Sequence, residues 1–160
     1  MKAPVRAVPA AGSGGCSAAK DAEELCARHG VRLTAIRRKI FKILLQAGAP
    51  LKAYDIIDRM REDGRRITPA TMYRTLEFLL QQGLAHRINA LNAYVPCTAA
   101  HDSGGLLLFV CSDCQKASEL NDPVLYDSLR ARLGVLGFSL DNASIEIQGA
   151  CPSCSAGKSG

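Results

Sequence analysis

The chain has 160 residues, 48% of them hydrophobic and 22% charged, which suits one large or two small globular domains and excludes collagen-like, coiled-coil and wholly disordered chains. Its longest apolar run, LLLFVC at Leu106–Cys111, falls far short of the roughly 20 residues that a membrane-spanning helix needs. The formal net charge of +5 divides unevenly: Lys20–Ala90 carries 14 Lys/Arg against 8 Asp/Glu, whereas Leu91–Cys154 carries 3 against 7, so a basic half suited to a polyanion precedes an acidic half suited to a cation.

Residues 1–19 are rich in Ala, Gly, Pro and Ser and carry no hydrophobic period, so they read as a disordered tail. They also lack the continuous apolar stretch of a secretory signal. Asp21–His29 fits a short helix stopped by Gly30. Thr34 is a candidate N-cap for a helix over Ala35–Gln46 with Ile36, Ile40, Ile43 and Leu44 on its apolar face, and Gly48 ends it. Ala53–Glu62 places Ile56, Ile57 and Met60 on one face. Thr68 then caps a strong helix with Pro69 at its first position, where a missing N–H costs nothing. Met72, Leu76, Leu79 and Leu80 form its buried stripe before Gly83. Beyond Gly83 the period falls to that of strands: Leu84–Ile88 and Ala93–Pro96 flank the turn-rich Asn89–Asn92. Helices followed by a hairpin make a winged helix-turn-helix, with Pro69–Gln82 as its recognition helix.

The second half reads as a small α+β unit. Leu106–Cys111 and Lys116–Leu120 are strand-like, and Asp122-Pro123 opens a helix to about Leu133. Phe138–Leu140 and Ser144–Gln148 complete the expected strands. The organisation expected is a tail at 1–19, a DNA-binding domain at 20–91, a hinge at 92–102, an α+β domain at 103–154 that a family resemblance makes the dimerisation and metal-binding domain, and a flexible tail at 155–160.

Seven cysteines without a secretory signal point to metal or redox chemistry rather than structural disulfides. Cys111-Ser-Asp-Cys114 and Cys151-Pro-Ser-Cys154 form two C-x-x-C turns. Each can hold two thiolates one tetrahedral edge apart, and together they complete a structural zinc site; the competing use of such turns is a redox disulfide. Cys16 and Cys26 receive no role. His86, Cys97, His101 and Glu119 form no compact motif, yet they are a plausible borderline-soft donor set for Zn²⁺. Read blandly, they are two surface histidines, a buried Cys and an exposed Glu. Asp102 could replace His101 as an oxygen ligand.

On the recognition helix, Thr71, Tyr73 and Arg74 lie on or near the face opposite Met72 and Leu76. Arginine can bond guanine O6 and N7 in the major groove. Lys39, Lys42, Arg65 and Arg66, with Arg37 and Arg38, are expected to meet phosphates. An ordinary solvated helix face would have the same composition. His29, at a helix end, reads as a dipole partner.

The strings GVRLTAIRRKIF, AYDIIDRM, TPATMYRTLEFLLQQGLAHRI and NAYVPC, followed by CSDC and CPSC, resemble the ferric-uptake-regulator family, most of all its zinc-uptake branch, over about Asp21–Cys154. The resemblance implies a dimeric, metal-dependent transcriptional repressor rather than an enzyme. It implies two Zn²⁺ per chain: a structural ion at Cys111, Cys114, Cys151 and Cys154, and a regulatory ion at His86, Cys97, His101 and Glu119. It places Tyr54 and Arg74 against operator DNA, where the reading of the helix face and of the basic residues already puts Tyr73, Thr71 and Arg66. The expected partners are palindromic double-stranded DNA and a second copy of the chain, in the cytoplasm, with no membrane and no small-molecule substrate. One departure concerns CTAAHDSGGLLLFVC, where the family usually has several histidines; a single His there counts against an iron sensor. An iron or peroxide sensor of the same family is one alternative reading, and a thiol redox zinc protein is another. No catalytic dyad or phosphate loop is present in the sequence to support an enzyme.

Overall fold

A computed structural model describes residues 5–7, 15–97, 106–120, 122–139 and 144–156. The chain divides into two compact units, one formed by Val8–Thr98 and the other by Met1–Ala7 together with Ala99–Gly160.

The Val8–Thr98 unit is built from four helices and a hairpin. Helix α1 spans Gly15–Arg28, α2 Ala35–Ala47, α3 Ala53–Glu62 and α4 Pro69–Gln81. The starts of α2, α3 and α4 each have a local cause. The Thr34 hydroxyl accepts the Arg37 N–H at 3.5 Å. The Asp55 carboxylate accepts the Lys52 N–H at 3.0 Å, and the Thr68 hydroxyl accepts the Thr71 N–H at 3.3 Å, each satisfying a donor that the helix leaves unbonded. Gly48 and Gly83, at φ of 63° and 67°, end α2 and α4 in the left-handed region, which costs glycine nothing.

Strands β2 (Ala85–Ile88) and β3 (Ala93–Pro96) pair antiparallel. Leu51 extends this wing by exchanging two backbone hydrogen bonds with Tyr94, at 3.0 and 2.8 Å. The core is mostly aliphatic: Ile40, Leu44, Ile56, Met60, Met72, Leu76 and Leu79 are essentially inaccessible, with Phe41, Phe78 and Tyr94 buried beside them. The connection from α3 to α4 turns at Gly64 and completes the helix-turn-helix.

The second unit holds a four-stranded sheet in the order β1-β5-β4-β6, formed by β1 (Val5–Ala7), β4 (Leu106–Cys111), β5 (Ala117–Leu120) and β6 (Ser144–Gly149). Helix α5 (Pro123–Val135) starts where the Asp122 carboxylate accepts the Leu125 N–H at 3.0 Å. A short α6 follows at Pro152–Ala156. Strands β4 and β5 are antiparallel, whereas β4 and β6 are parallel with Cys111 beside Gly149. Of the apolar side chains buried among the described residues, only Leu107, Leu108, Val110, Cys111, Ala117 and Tyr126 belong to this unit.

The α+β class and the winged helix-turn-helix agree with the expected architecture, but three expectations need correction. The 1–19 tail is not wholly without structure: Val5–Ala7 is a strand and α1 begins at Gly15. The strand owes its existence to the edge of β5, which no local pattern reveals, and the helix extends backward through Ala18 and Ala19, good helix formers. Phe138 and Ser139 are in no strand, while Leu140 lies outside the described residues. Ser155 and Ala156 close a helical turn rather than begin a free tail.

Candidate metal centre and nucleic-acid interface

Parallel pairing of β4 with β6 delivers both C-x-x-C turns to the same end of the sheet. Cys111 is the last residue of β4, and Cys151 follows β6 by two positions. The first turn is closed by Cys111 N–H donating to Lys116 O and Gln115 N–H to Cys111 O, both at 2.9 Å, with Gln115 at a φ of 58°. It is fastened to β6 by Ser112, whose N–H and hydroxyl both donate to Gly149 O, at 2.9 and 3.2 Å. Gly149 has to be small, because a Cβ there would stand 3.2 Å from the Phe109 ring.

The four sulfurs of Cys111, Cys114, Cys151 and Cys154 lie within 4.8 Å of one another, with Cys114 and Cys151 at 3.9 Å. A disulfide needs about 2.05 Å. A tetrahedral zinc with Zn–S bonds of about 2.3 Å has S–S edges of about 3.8 Å, so the cluster fits an ion and not a disulfide pair. The electrostatics agree. The backbone N–H groups of Cys114 and Cys151 lower the Cys111 thiol to about 6, and the Cys151 N–H lies 3.3 Å from that sulfur. The Cys154 thiol donates to the sulfurs of Cys151 and then Cys114, which pushes it up to about 12. Both shifts come from the hydrogen bonds that gather the four sulfurs at one point.

In the first unit, His86 on β2 and Cys97 just after β3 present their ligand atoms within 4.8 Å of each other. The hairpin causes this: Cys97 N–H donates to Leu84 O at 2.9 Å, and His86 is paired with Val95. Both side chains are half-buried. Glu119 lies on β5 of the other unit, facing Leu108 on one side and Arg6 on the other in register. It is 3% exposed, whereas the residues around it suggested an exposed glutamate. His101 and Asp102 lie outside the described residues.

On the helix-turn-helix, Tyr73 and Arg74 are exposed on α4, and Tyr54 is 67% exposed at the start of α3. Thr71 is half-buried, and its hydroxyl lies 3.0 Å from that of Thr68, within the helix cap. Arg66 lines a cavity of about 480 Å³ with Arg61, Gly64 and Ile67. The cations expected at phosphates separate into two groups. Arg37 lies over the Phe78 ring at 3.5 Å and donates to Arg32 O. Arg38 pairs with Glu23 at 2.7 Å, and Lys39 with Asp63. These three hold helices together. Lys42, Arg65, Arg66 and Arg74 make no ion pair among the described residues and remain available to an anion. His29 does more than meet a helix dipole: its Nδ1 lies 2.8 Å from Gln82 Oε1 and links α1 to the end of α4. Cys26 is buried in the core, where burial raises its thiol pKa. The stacked Arg37 was missed in sequence because a guanidinium among others carries no sign of its ring partner.

Comparison with known proteins agrees with this layout. The zinc uptake regulation protein of Escherichia coli K12 is 36% identical over 138 residues, spanning 83% of this chain and 78% of that protein. The structure of a zinc uptake regulator complexed with zinc and DNA superposes with a TM-score of 0.81 at 30% identity, covering 92% of this chain and 99% of the other. The crystal structure of holo XcZur superposes at 0.78 with 34% identity, over 88% and 98%. The sequence profile of the ferric uptake regulator family matches residues 28–148, and the chain belongs to that family, whose members are transcription regulators rather than enzymes.

Proposed function

We propose that this chain is a zinc-responsive transcriptional repressor whose dimer occupies palindromic operator DNA when a sensing zinc is bound, and so silences genes for zinc acquisition. The observation that carries the reading is its likeness, over nearly the whole chain, to a regulator solved with zinc and DNA. Cys111, Cys114, Cys151 and Cys154 hold one zinc that secures the fold of the smaller unit. His86, Cys97, His101 and Glu119 hold the second, for a total of two per chain. The Cys97 thiolate favours zinc over iron or manganese by ligand softness. When bound, zinc would supply the positive charge that these donors share. The remaining work falls to side chains of this chain: Arg74 and Tyr73 face base edges, Tyr54, Thr71 and Arg66 meet the backbone, and Lys42 adds phosphate attraction.

A second copy of the chain is the natural cover for α5 and the segment after it, where Val124, Val135, Leu136 and Phe138 are 65–89% exposed; exposed large apolar side chains are the kind of group that an interface buries. Dimerisation sets two recognition helices about 34 Å or a multiple apart along the duplex. Zinc then favours the DNA-competent form, and by linkage DNA tightens zinc. No helix among the described residues is long and apolar enough to cross a membrane. The test is fluorescence anisotropy of a duplex selected from a random pool by the zinc-loaded protein, titrated with buffered free Zn²⁺, Fe²⁺ or Mn²⁺. Affinity should rise with zinc alone. A larger response to iron or manganese would overturn the zinc assignment.

A further inference from the structure

The N-terminal segment contains, among the described residues, a strand to which the proposed function gives no task, and the family match begins only at residue 28. Its strand β1 runs antiparallel along the outer edge of β5, with Val5 opposite Leu120, Arg6 opposite Glu119 and Ala7 opposite Ser118. Glu119 is the carboxylate assigned above to the sensing zinc, so β1 seals the sheet edge at that residue's backbone. Without β1, β5 would be a four-residue edge strand held on one side only; edge strands carry unpaired N–H and C=O groups and open readily.

The connectivity adds a second point. The chain leaves the sheet after Ala7, builds the whole Val8–Thr98 unit and returns to the same sheet. The DNA-binding unit is therefore tied to the sensing sheet at both of its ends. Three pairs of residues make a short ladder, so the tie can be gained or lost without unfolding either unit.

From this we infer that β1 is a regulatory strand: by pairing with β5 opposite Glu119 it stiffens the sensing strand and slows the loss of zinc from that site. The inference rests on the assignment of Glu119 to the sensing zinc. A ligand held on a backbone that does not fray needs less ordering when it binds, and it releases its ion more slowly.

The experiment compares the full chain with three variants: one lacking residues 1–14, Val5→Pro/Arg6→Pro, and Val5→Thr/Arg6→Thr. Successive N–H groups of a strand point to opposite sides, so one of the two prolines must remove a ladder donor, whereas threonine suits a strand. Amide hydrogen exchange at Ser118–Leu120 is read first, with zinc only at the four cysteines. Zinc release from the sensing site to a chromogenic chelator is read second. The truncated and proline chains should exchange these amides about tenfold faster and release the sensing zinc severalfold faster, with the threonine chain matching the parent. Unchanged exchange, unchanged release, or a threonine chain that behaves like the proline chain would each overturn the inference. DNA binding that ignores zinc in all four proteins would instead overturn the proposed function, while leaving the exchange result to stand by itself.

Discussion

Replacing Cys151 by serine tests the metal centre most directly, because the structure separates that thiol's role from mere burial. Four sulfurs converge within 4.8 Å at the ends of β4 and β6, and the unit they close buries few apolar side chains. Structural zinc in small domains contributes about 10–16 kcal/mol of binding free energy at neutral pH. Spread over four thiolates, that is about 2.5–4 kcal/mol per ligand, or roughly a hundredfold to a thousandfold in zinc affinity, before any folding penalty is added. The penalty is real here: the Cys151 N–H reaches the Cys111 sulfur at 3.3 Å, and the Cys111 turn is bolted to Gly149 through Ser112. Loss of the ion should therefore free both turns and the β4–β6 pairing between them. The assay is zinc stoichiometry by native mass spectrometry under a mild chelator, with amide exchange over residues 106–120 and 144–149 and size by light scattering. Cys151→Ser should lose the retained zinc, lose protection in both strands and fall from dimer to monomer. Cys26→Ser, the same chemical change at a buried thiol outside the cluster, should keep all three properties. A Cys151→Ser protein with undiminished zinc and a parental melting curve would show that the cluster is not a structural metal site.

Arg74→Ala should leave fold and zinc content intact, since the side chain is exposed, but cost about 1–3 kcal/mol of operator affinity per half-site; gel-shift titration at fixed salt reads it. Lys42→Ala should weaken all duplexes alike and shallow the slope of log affinity against log salt by about one unit, as expected for a phosphate contact. Cys97→Ser and Glu119→Ala should remain folded and keep the four-cysteine zinc, yet lose the zinc-dependent gain in DNA affinity, a coupling of about 1–3 kcal/mol; anisotropy against buffered zinc checks this, and curves that superimpose on the parent's would sink the sensing site. Leu79→Ala, at a fully buried position of α4, should destabilise the DNA-binding unit by about 2–5 kcal/mol, measured by urea unfolding.

Features set by neighbours in the chain were legible from residue order. Thr34, Thr68 and Asp122 cap the helices that follow them, because a cap is an interaction across three residues. The two C-x-x-C pairs announced four metal-type ligands for the same local reason. What required the tertiary structure were partnerships between distant segments. The parallel β4–β6 register brings residues 111 and 151 to one end of a sheet. The β5 edge makes a strand of Val5–Ala7, three residues within an Ala/Pro-rich stretch. The Phe78 ring takes Arg37 from the pool of DNA-facing cations, and Glu119, which reads as a surface residue, is buried. Helix and turn propensities are local free energies that a short window contains; strand pairing, burial and charge neutralisation depend on what the rest of the chain places alongside, and no window of residues contains that.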